Sequence, residues 1–249
     1  MWNHISQHPF PVEAHFDHSL VLTYAYPVNA LQTLIPDCLE LDCFQDKWAF
    51  VAVAMVQTRK LRPKGFPEFM GSDFFLAGYR IFVRYHSQSG RRLRGLYILR
   101  SETDKARMKF LGNIFTNYKY SRIQVSADFV TNNMARIESP TTGLKLLADI
   151  GDDEAIPLPE GSPFPDWRSA RTFAGPMPFT FSVNEKEVII VEGKRSKWQP
   201  RPVRVIEAKV PYLKQIVPEE PILANAFITQ NIPYEWTSGR REPRSQQCD

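Results

Sequence analysis

Residues 78–99 read GYRIFVRYHSQSGRRLRGLYIL. Tyr79, Ile81, Val83 and Tyr85 alternate with Arg80, Phe82, Arg84 and His86. That period of two places successive side chains on opposite faces of a strand. Ser87–Gly90 supplies turn residues and Leu93–Leu99 a returning strand, so the stretch predicts a β-hairpin. Just upstream, Trp48–Val56 is almost continuously apolar, which predicts a strand covered on both faces. Before it, Leu39–Phe44 reads as a strand, Gln45–Lys47 as a turn, and residues 27–36 as a short helix stopped by Pro36. Residues 59–71 hold two prolines, two glycines and several charges, and read as a loop.

Downstream, Ser101-Glu102-Thr103-Asp104 has capping-box spacing and predicts a helix running to about Phe115. Its expected buried stripe is Ala106, Phe110, Leu111, Ile114 and Phe115. From Tyr118 to Val130 the period returns to two. Lys119, Ile123, Val125 and Phe129 share one face, and Tyr120, Arg122 and Gln124 the other. Thr131–Asn133 reads as a hairpin turn. Further strands are expected at 134–138, 144–149, 178–183, 187–192 and 203–210, with a long loop over the proline-rich, acidic 151–167. Twenty prolines against twelve glycines disfavour long helices, so the fold class is mainly β. Residues 1–18 read as an N-terminal arm, 19–236 as a single domain and 237–249 as a disordered tail.

The 249 residues suffice for a substantial core, and 43% apolar with 23% charged residues excludes disorder as the dominant state. Three cysteines, Cys38, Cys43 and Cys248, make no disulfide framework, and no metal-ligand spacing accompanies them. His4, His8, His15 and His18 match no established metal motif, so no metal and no cofactor are expected. Neither a signal peptide nor a membrane-length apolar run is visible, which makes the cytoplasm the expected compartment and a membrane no expected partner. Residues 59–122 carry a net charge of +11, from fifteen basic and four acidic side chains, while 128–160 carry −5. A basic surface of this kind serves nucleic acid, an anionic metabolite or simply solvent. Without a zinc finger, an RNA-recognition signature or a basic helix, nucleic acid is not the expected partner.

Lys119 stands between Tyr118 and Tyr120, just after a helix and at the start of a strand. A lysine at the mouth of an apolar pocket loses hydration, and its free amine can attack a carbonyl. The bland alternative is a lysine that snorkels to solvent from the strand end.

The blocks LQTLIPDCLELDCFQDKWAFVAVAMVQTRKLRPKGFP (31–67), YRIFVRY (79–85), GLYILRSETDK (95–105), NIFTNYKYSRIQV (113–125) and KWQPRPVRV (197–205) resemble, in this order, a bacterial family of uncharacterised YqjF-like proteins. The resemblance spans roughly residues 20–210. That family is similar to acetoacetate decarboxylase, which implies a mainly β, cone-like barrel around a small-molecule cavity with a few helices outside. In the decarboxylase a lysine pair follows a helix and enters a strand. The matching segment here, Thr116–Tyr120, holds the single Lys119, and a tyrosine takes the place of the neighbouring cation.

The resemblance thus implies an enzyme acting on a carboxylated carbonyl compound, with Lys119 as the Schiff-base amine. Glu102 is the candidate acid or base, and Tyr120 a donor to a developing enolate. Arg80 and Arg122 would hold the carboxylate as bidentate forks, with Tyr118 beside them. Two alternatives stay open: a non-catalytic barrel that binds a small organic ligand, and a basic surface module binding nucleic acid or protein. The expected partner is a small-molecule ligand. Whether copies of the chain also form a homo-oligomer is left open.

Overall fold

A computed structural model describes residues 7–129, 131–151, 156–175, 177–196 and 198–244. In chain order the first strands and helix are β1 (Val12–Pro27), α1 (Val28–Gln32), β2 (Glu40–Leu41), β3 (Trp48–Pro63), β4 (Ser72–His86) and β5 (Arg92–Thr103). The middle of the chain forms α2 (Ala106–Phe115), β6 (Tyr120–Arg122), β7 (Ser126–Asp128), β8 (Met134–Glu138), β9 (Lys145–Asp149) and α3 (Trp167–Phe173). The remainder forms β10 (Phe179–Val183), β11 (Glu187–Arg195), β12 (Arg201–Pro202), β13 (Arg204–Lys209), α4 (Pro211–Ile216), β14 (Ile222–Trp236) and β15 (Arg240–Pro243). No helix among the described residues is long and apolar enough to cross a membrane.

The long strands pair in the order β14-β1-β3-β4-β5-β10-β11, and β11 pairs back onto β14, so the sheet forms a ring. Most of these pairings are antiparallel and long. Two are short seams: β5 meets β10 in parallel through three residue pairs, Phe179–Gly95 to Phe181–Tyr97. β11 meets β14 through Gly193–Trp236, Lys194–Glu235 and Arg195–Tyr234. Outside the ring lies a four-stranded sheet, β13-β9-β8-β7.

This arrangement accounts for the apolar run of β3, whose residues 49–56 are all buried. Val51, Val53 and Met55 join Phe75, Ala77, Tyr79, Ile81 and Val83 of β4 in the main core, together with Ile137, Leu146 and Ala148 of the second sheet. Ala52, Ala54 and Val56 point the other way, as do Phe74, Leu76, Arg80 and Phe82, and line the inside of the ring. The hairpin of β4 and β5 forms as the alternation predicts, with Gly90 at φ 75° in its turn.

Several expectations need correction. The arm is structural over most of its described length: Gln7 and His8 are buried, and residues 12–18 are the first half of β1. The region expected as tail contributes β15, paired with β11; residues 1–6 and 245–249 lie outside the described residues. β3 continues to Pro63, which shortens the expected loop to residues 64–71. Ser101–Thr103 stay in β5, and α2 begins at Ala106 without a side-chain cap. Asp104 instead accepts a hydrogen bond from the Phe75 amide at 2.8 Å. Of the expected stripe, Ala106 and Phe110 are exposed, and the residue α2 buries is Gly112. The strand expected over 118–130 breaks at 123–125, where the chain leaves β6 in the ring for β7 in the outer sheet.

Gly95 makes the parallel seam possible. A Cβ there would sit 2.3 Å from the Phe179 carbonyl oxygen and 2.7 Å from the Phe181 ring. Gly95→Ala is therefore expected to lower the unfolding free energy by about 3 kcal/mol, measured by denaturant titration. An unchanged midpoint would mean that the seam does not support the ring.

Candidate functional site

The ring encloses a cavity of about 470 Å³. Its walls are largely apolar, with Ala54, Phe74, Leu76, Ile98, Met108 and Leu111 among them. Phe66, Met70 and Arg107 line it while remaining exposed, so the opening lies between the β3–β4 loop and α2. Among the described residues no aspartate or glutamate lines the cavity.

Against these walls stand Arg80 of β4, Arg195 of β11, Tyr234 of β14, and Tyr118 and Tyr120 at the entry to β6. Arg80 makes no ion pair with a described residue, and its Nε is buried without a hydrogen-bond partner. The same holds for Nη2 of Arg195, whose guanidinium lies 3.9 Å from the centre of the Trp198 ring. Burial lowers the pKa of both guanidinium groups, and the charge of Arg80 adds to the effect on Arg195. The Tyr118 hydroxyl is also buried, with the side chain of Thr180 beside it, and burial raises its pKa above the ordinary phenol value. Burial likewise holds the Tyr120 hydroxyl up at about 12, against the opposing charge of Arg80. Further orphaned atoms at the same walls are Nε1 of Trp198, Oγ1 of Thr58 and Nε2 of His8. Guanidinium and indole N–H groups can only donate, so the cavity presents more donors than it contains acceptors.

Three glycines leave the space that these side chains fill. A Cβ on Gly78 would lie 2.9 Å from Nε and Nη2 of Arg80. One on Gly112 would lie 2.4 Å from the Tyr120 ring, and one on Gly193 would lie 2.2 Å from the Tyr234 hydroxyl. The side chain of Asn113 then fixes the backbone of Tyr120 from both sides. Its Oδ1 accepts from the Tyr120 amide at 2.8 Å, and its Nδ2 donates to the Tyr120 carbonyl at 2.9 Å.

Of the candidate residues, Arg80, Tyr118 and Tyr120 come together in the cavity, while Lys119, Glu102 and Arg122 lie elsewhere. Lys119 is exposed and has φ 53°; the alternation turns the two flanking tyrosines inward and the lysine outward. Arg122 is exposed. Glu102 is fully buried but faces away from the cavity. The spacing of Leu96, Ile98, Arg100 and Glu102 would point it inward. A bulge between the Tyr79–Arg100 and Arg80–Ile98 pairs switches the parity, so that Ser101 faces in and Glu102 out. There Glu102 lies 3.0 Å from Nε of Arg100 and accepts from the Tyr79 hydroxyl at 3.1 Å. Desolvation raises its carboxyl pKa, and Arg100 opposes the rise.

Arg195 and Tyr234 went unread in sequence, and His8 was weighed only as a metal ligand of the arm. Arg195 sits in the charged run Gly193–Lys197, which has the look of a solvated turn. Several side chains of the basic region stand in ion pairs. Asp17 and Asp73 pair with Arg59, Asp42 with Arg84 and Arg94, and Glu40 with Arg92. Cys38 and Cys43 are free thiols, and the expectation for Cys248 lies outside the described residues. Among the described residues no group of three or more His, Cys, Asp or Glu is placed to hold a metal ion.

A family model described as uncharacterized conserved protein, DUF2071, matches residues 13–215. No curated protein matches the sequence. The chain superposes on solved structures at low identity. One is acetoacetate decarboxylase from Legionella pneumophila, 12% identical, with TM-score 0.62, covering 93% of this chain and 87% of that one. A second is an acetoacetate decarboxylase-like enzyme from Sphingomonas wittichii RW1, 12% identical, with TM-score 0.59 and 95% and 94% covered. A third is the enduracididine biosynthesis enzyme MppR complexed with pyruvate, 13% identical, with TM-score 0.52 and 96% and 92% covered. The likeness establishes a common fold.

His8 gives the cavity a pH signature. Burial lowers its pKa from 6.5 to about 4. Between those values the unfolded chain binds a proton that the folded protein refuses, so this contribution to stability is lost as pH falls from about 6.5 to about 4. Glu102, raised by burial, acts in the opposite sense and loses its contribution as pH rises above the ordinary carboxyl range. His8→Gln is expected to flatten the acid limb of a stability-against-pH curve by up to about 1.4 kcal/mol per pH unit. An unchanged limb would place the ring in water.

Proposed function

This chain belongs to the DUF2071 family, and we propose that its cavity binds a small carboxylated carbonyl compound, with Arg80 and Arg195 on the carboxylate. The observation that carries this reading is the pair of half-buried arginines, each with a buried guanidinium nitrogen that has no hydrogen-bond partner and neither with an acidic partner among the described residues, set beside the unpartnered indole N–H of Trp198. Leaving a charge buried and unpaired costs several kcal/mol unless something returns the lost solvation. A carboxylate does so through charge-assisted, bidentate hydrogen bonds. The Tyr118 and Tyr120 hydroxyls are then the donors for a carbonyl oxygen on which negative charge develops. His8, held neutral by burial, packs its ring 5.1 Å from that of Tyr118 at the same walls. The neighbouring fold of MppR, solved with pyruvate, supports a keto acid as the ligand type.

This reading gives Lys119 no part, because its side chain is exposed and no described lysine lines the cavity. An imine at Lys119 is the competing reading, favoured by its place between the two cavity tyrosines.

Arg80→Met separates binding from folding. Removing an unpaired buried charge is expected to raise stability by about 2 kcal/mol. It is also expected to abolish the thermal-shift response to a panel of 2-oxo acids, which at a hundredfold excess over Kd is worth about 2.7 kcal/mol in the native protein. A full response in the variant would remove Arg80 from the site. Treatment with keto acid and cyanoborohydride is expected to label native protein and Lys119→Gln alike. An adduct lost only in the variant would establish the imine instead.

A further inference from the structure

We infer that the acid this cavity takes carries an extended apolar body, which runs from Arg80 to the opening beside Phe66 and Met70. The inference rests on the carboxylate reading above and adds the class of molecule. A compact keto acid would satisfy the arginines but leave most of the roughly 470 Å³ empty. The space is distributed unevenly. Unpartnered polar atoms of Arg80, Arg195 and Trp198 lie at the walls, with those of His8 and Thr58 further along, Thr58 across from Phe74. From Arg80 toward the opening, the inward positions of β4 are Gly78, Leu76 and Phe74. The Arg80 guanidinium lies over Gly78, so the part of that stretch open to a ligand, Gly78 to Phe74, spans about 13 Å. Ala54 and Val56 of β3 face the same space, and Met108 and Leu111 of α2 close it.

The opening continues the apolar character into solvent. Phe66 is 49% and Met70 47% exposed, although each also lines the cavity. Phe69 and Phe110 on the same loop and helix are 87% and 66% exposed. Side chains of this kind at a cavity mouth gain apolar contact when a ligand's tail lies among them. Polar groups around Arg80, apolar walls between them and the opening, and Phe66 and Met70 standing beside Arg107 at the rim fit an amphipathic acid entering tail-last.

The test is isothermal titration calorimetry of the full chain with hexanoate and decanoate below micelle-forming concentrations, and with decanol as the uncharged control. Each buried methylene adds about 0.8 kcal/mol, close to fourfold in affinity. Decanoate is therefore expected to bind on the order of 100-fold tighter than hexanoate, at one site. Decanol is expected to bind at least tenfold more weakly than decanoate. Phe66→Ser, at an exposed position, is expected to weaken decanoate severalfold and leave hexanoate unchanged. Hexanoate and decanoate binding equally would overturn the extended body and leave the carboxylate reading standing. Decanol matching decanoate, with Arg80→Met indifferent, would overturn the carboxylate reading and the inference together. Multiple equivalent sites, or no binding of either acid, would also overturn the inference.

Discussion

A strand with apolar side chains on both faces has to be covered twice, and β3 imposes that requirement on everything around it. One face is answered by the outer sheet of β7, β8, β9 and β13. The other is answered by curling the ring until its inner faces meet. The inner faces do not meet completely, because small residues such as Ala52 and Ala54 stand where larger ones would fill the centre. The cavity is the remainder of that geometry. Its position follows from which residues of β3 and β4 are small, and its polarity from one arginine in an otherwise apolar stripe.

Arg80 sets the chemistry of that remainder. A buried charge is ordinarily paired, as the buried carboxylates of Asp42 and Glu102 are, the first with Arg84 and Arg94 and the second with Arg100. Those pairs lie on the outer face of the same hairpin or beside it. The bulge in β5 keeps Glu102 from neutralising the inside, and the one close basic neighbour of Arg80, Arg195, is itself unpaired. Gly78, Gly112 and Gly193 hold open the space for the polar side chains, so the backbone as well as the side chains fits this arrangement. Protein interiors seldom keep such a group without a purpose.

The alternating patterns around residues 48–99 made the central hairpin and the buried strand legible in the sequence, and period two also located β8, β9, β10, β11 and β13. β14 escaped because Pro233 interrupts its pattern, and because Asn225, Thr229, Gln230 and Asn231 break its apolar run. α3 begins at the last residue of the stretch read as loop, and its remaining residues carried no expectation. At the site, Arg80, Tyr118 and Tyr120 were found. Lys119 was drawn inward by a local period that the tertiary fold overrides, and Glu102 was named as an acid or base without a facing. At Lys119 the choice of inner face depends on a partner strand, and at Glu102 on a single extra residue in β5. Arg195 and Tyr234 meet only when β11 closes on β14, a pairing with no local signature.

The ring also joins the first long strand directly to the last. β1 begins at Val12 and β14 ends at Trp236, and the two lie side by side over their whole length. During synthesis, β1, β3, β4 and β5 emerge early and can pair in sequence, but the free edge of β1 waits for more than 190 further residues of chain. Until β14 arrives, that edge is an apolar template open to any passing strand. The slow step of folding is then the meeting of distant strands, with a correspondingly high contact order. A nascent or truncated chain lacking β14 would therefore be prone to aggregation while most of its residues are already in place.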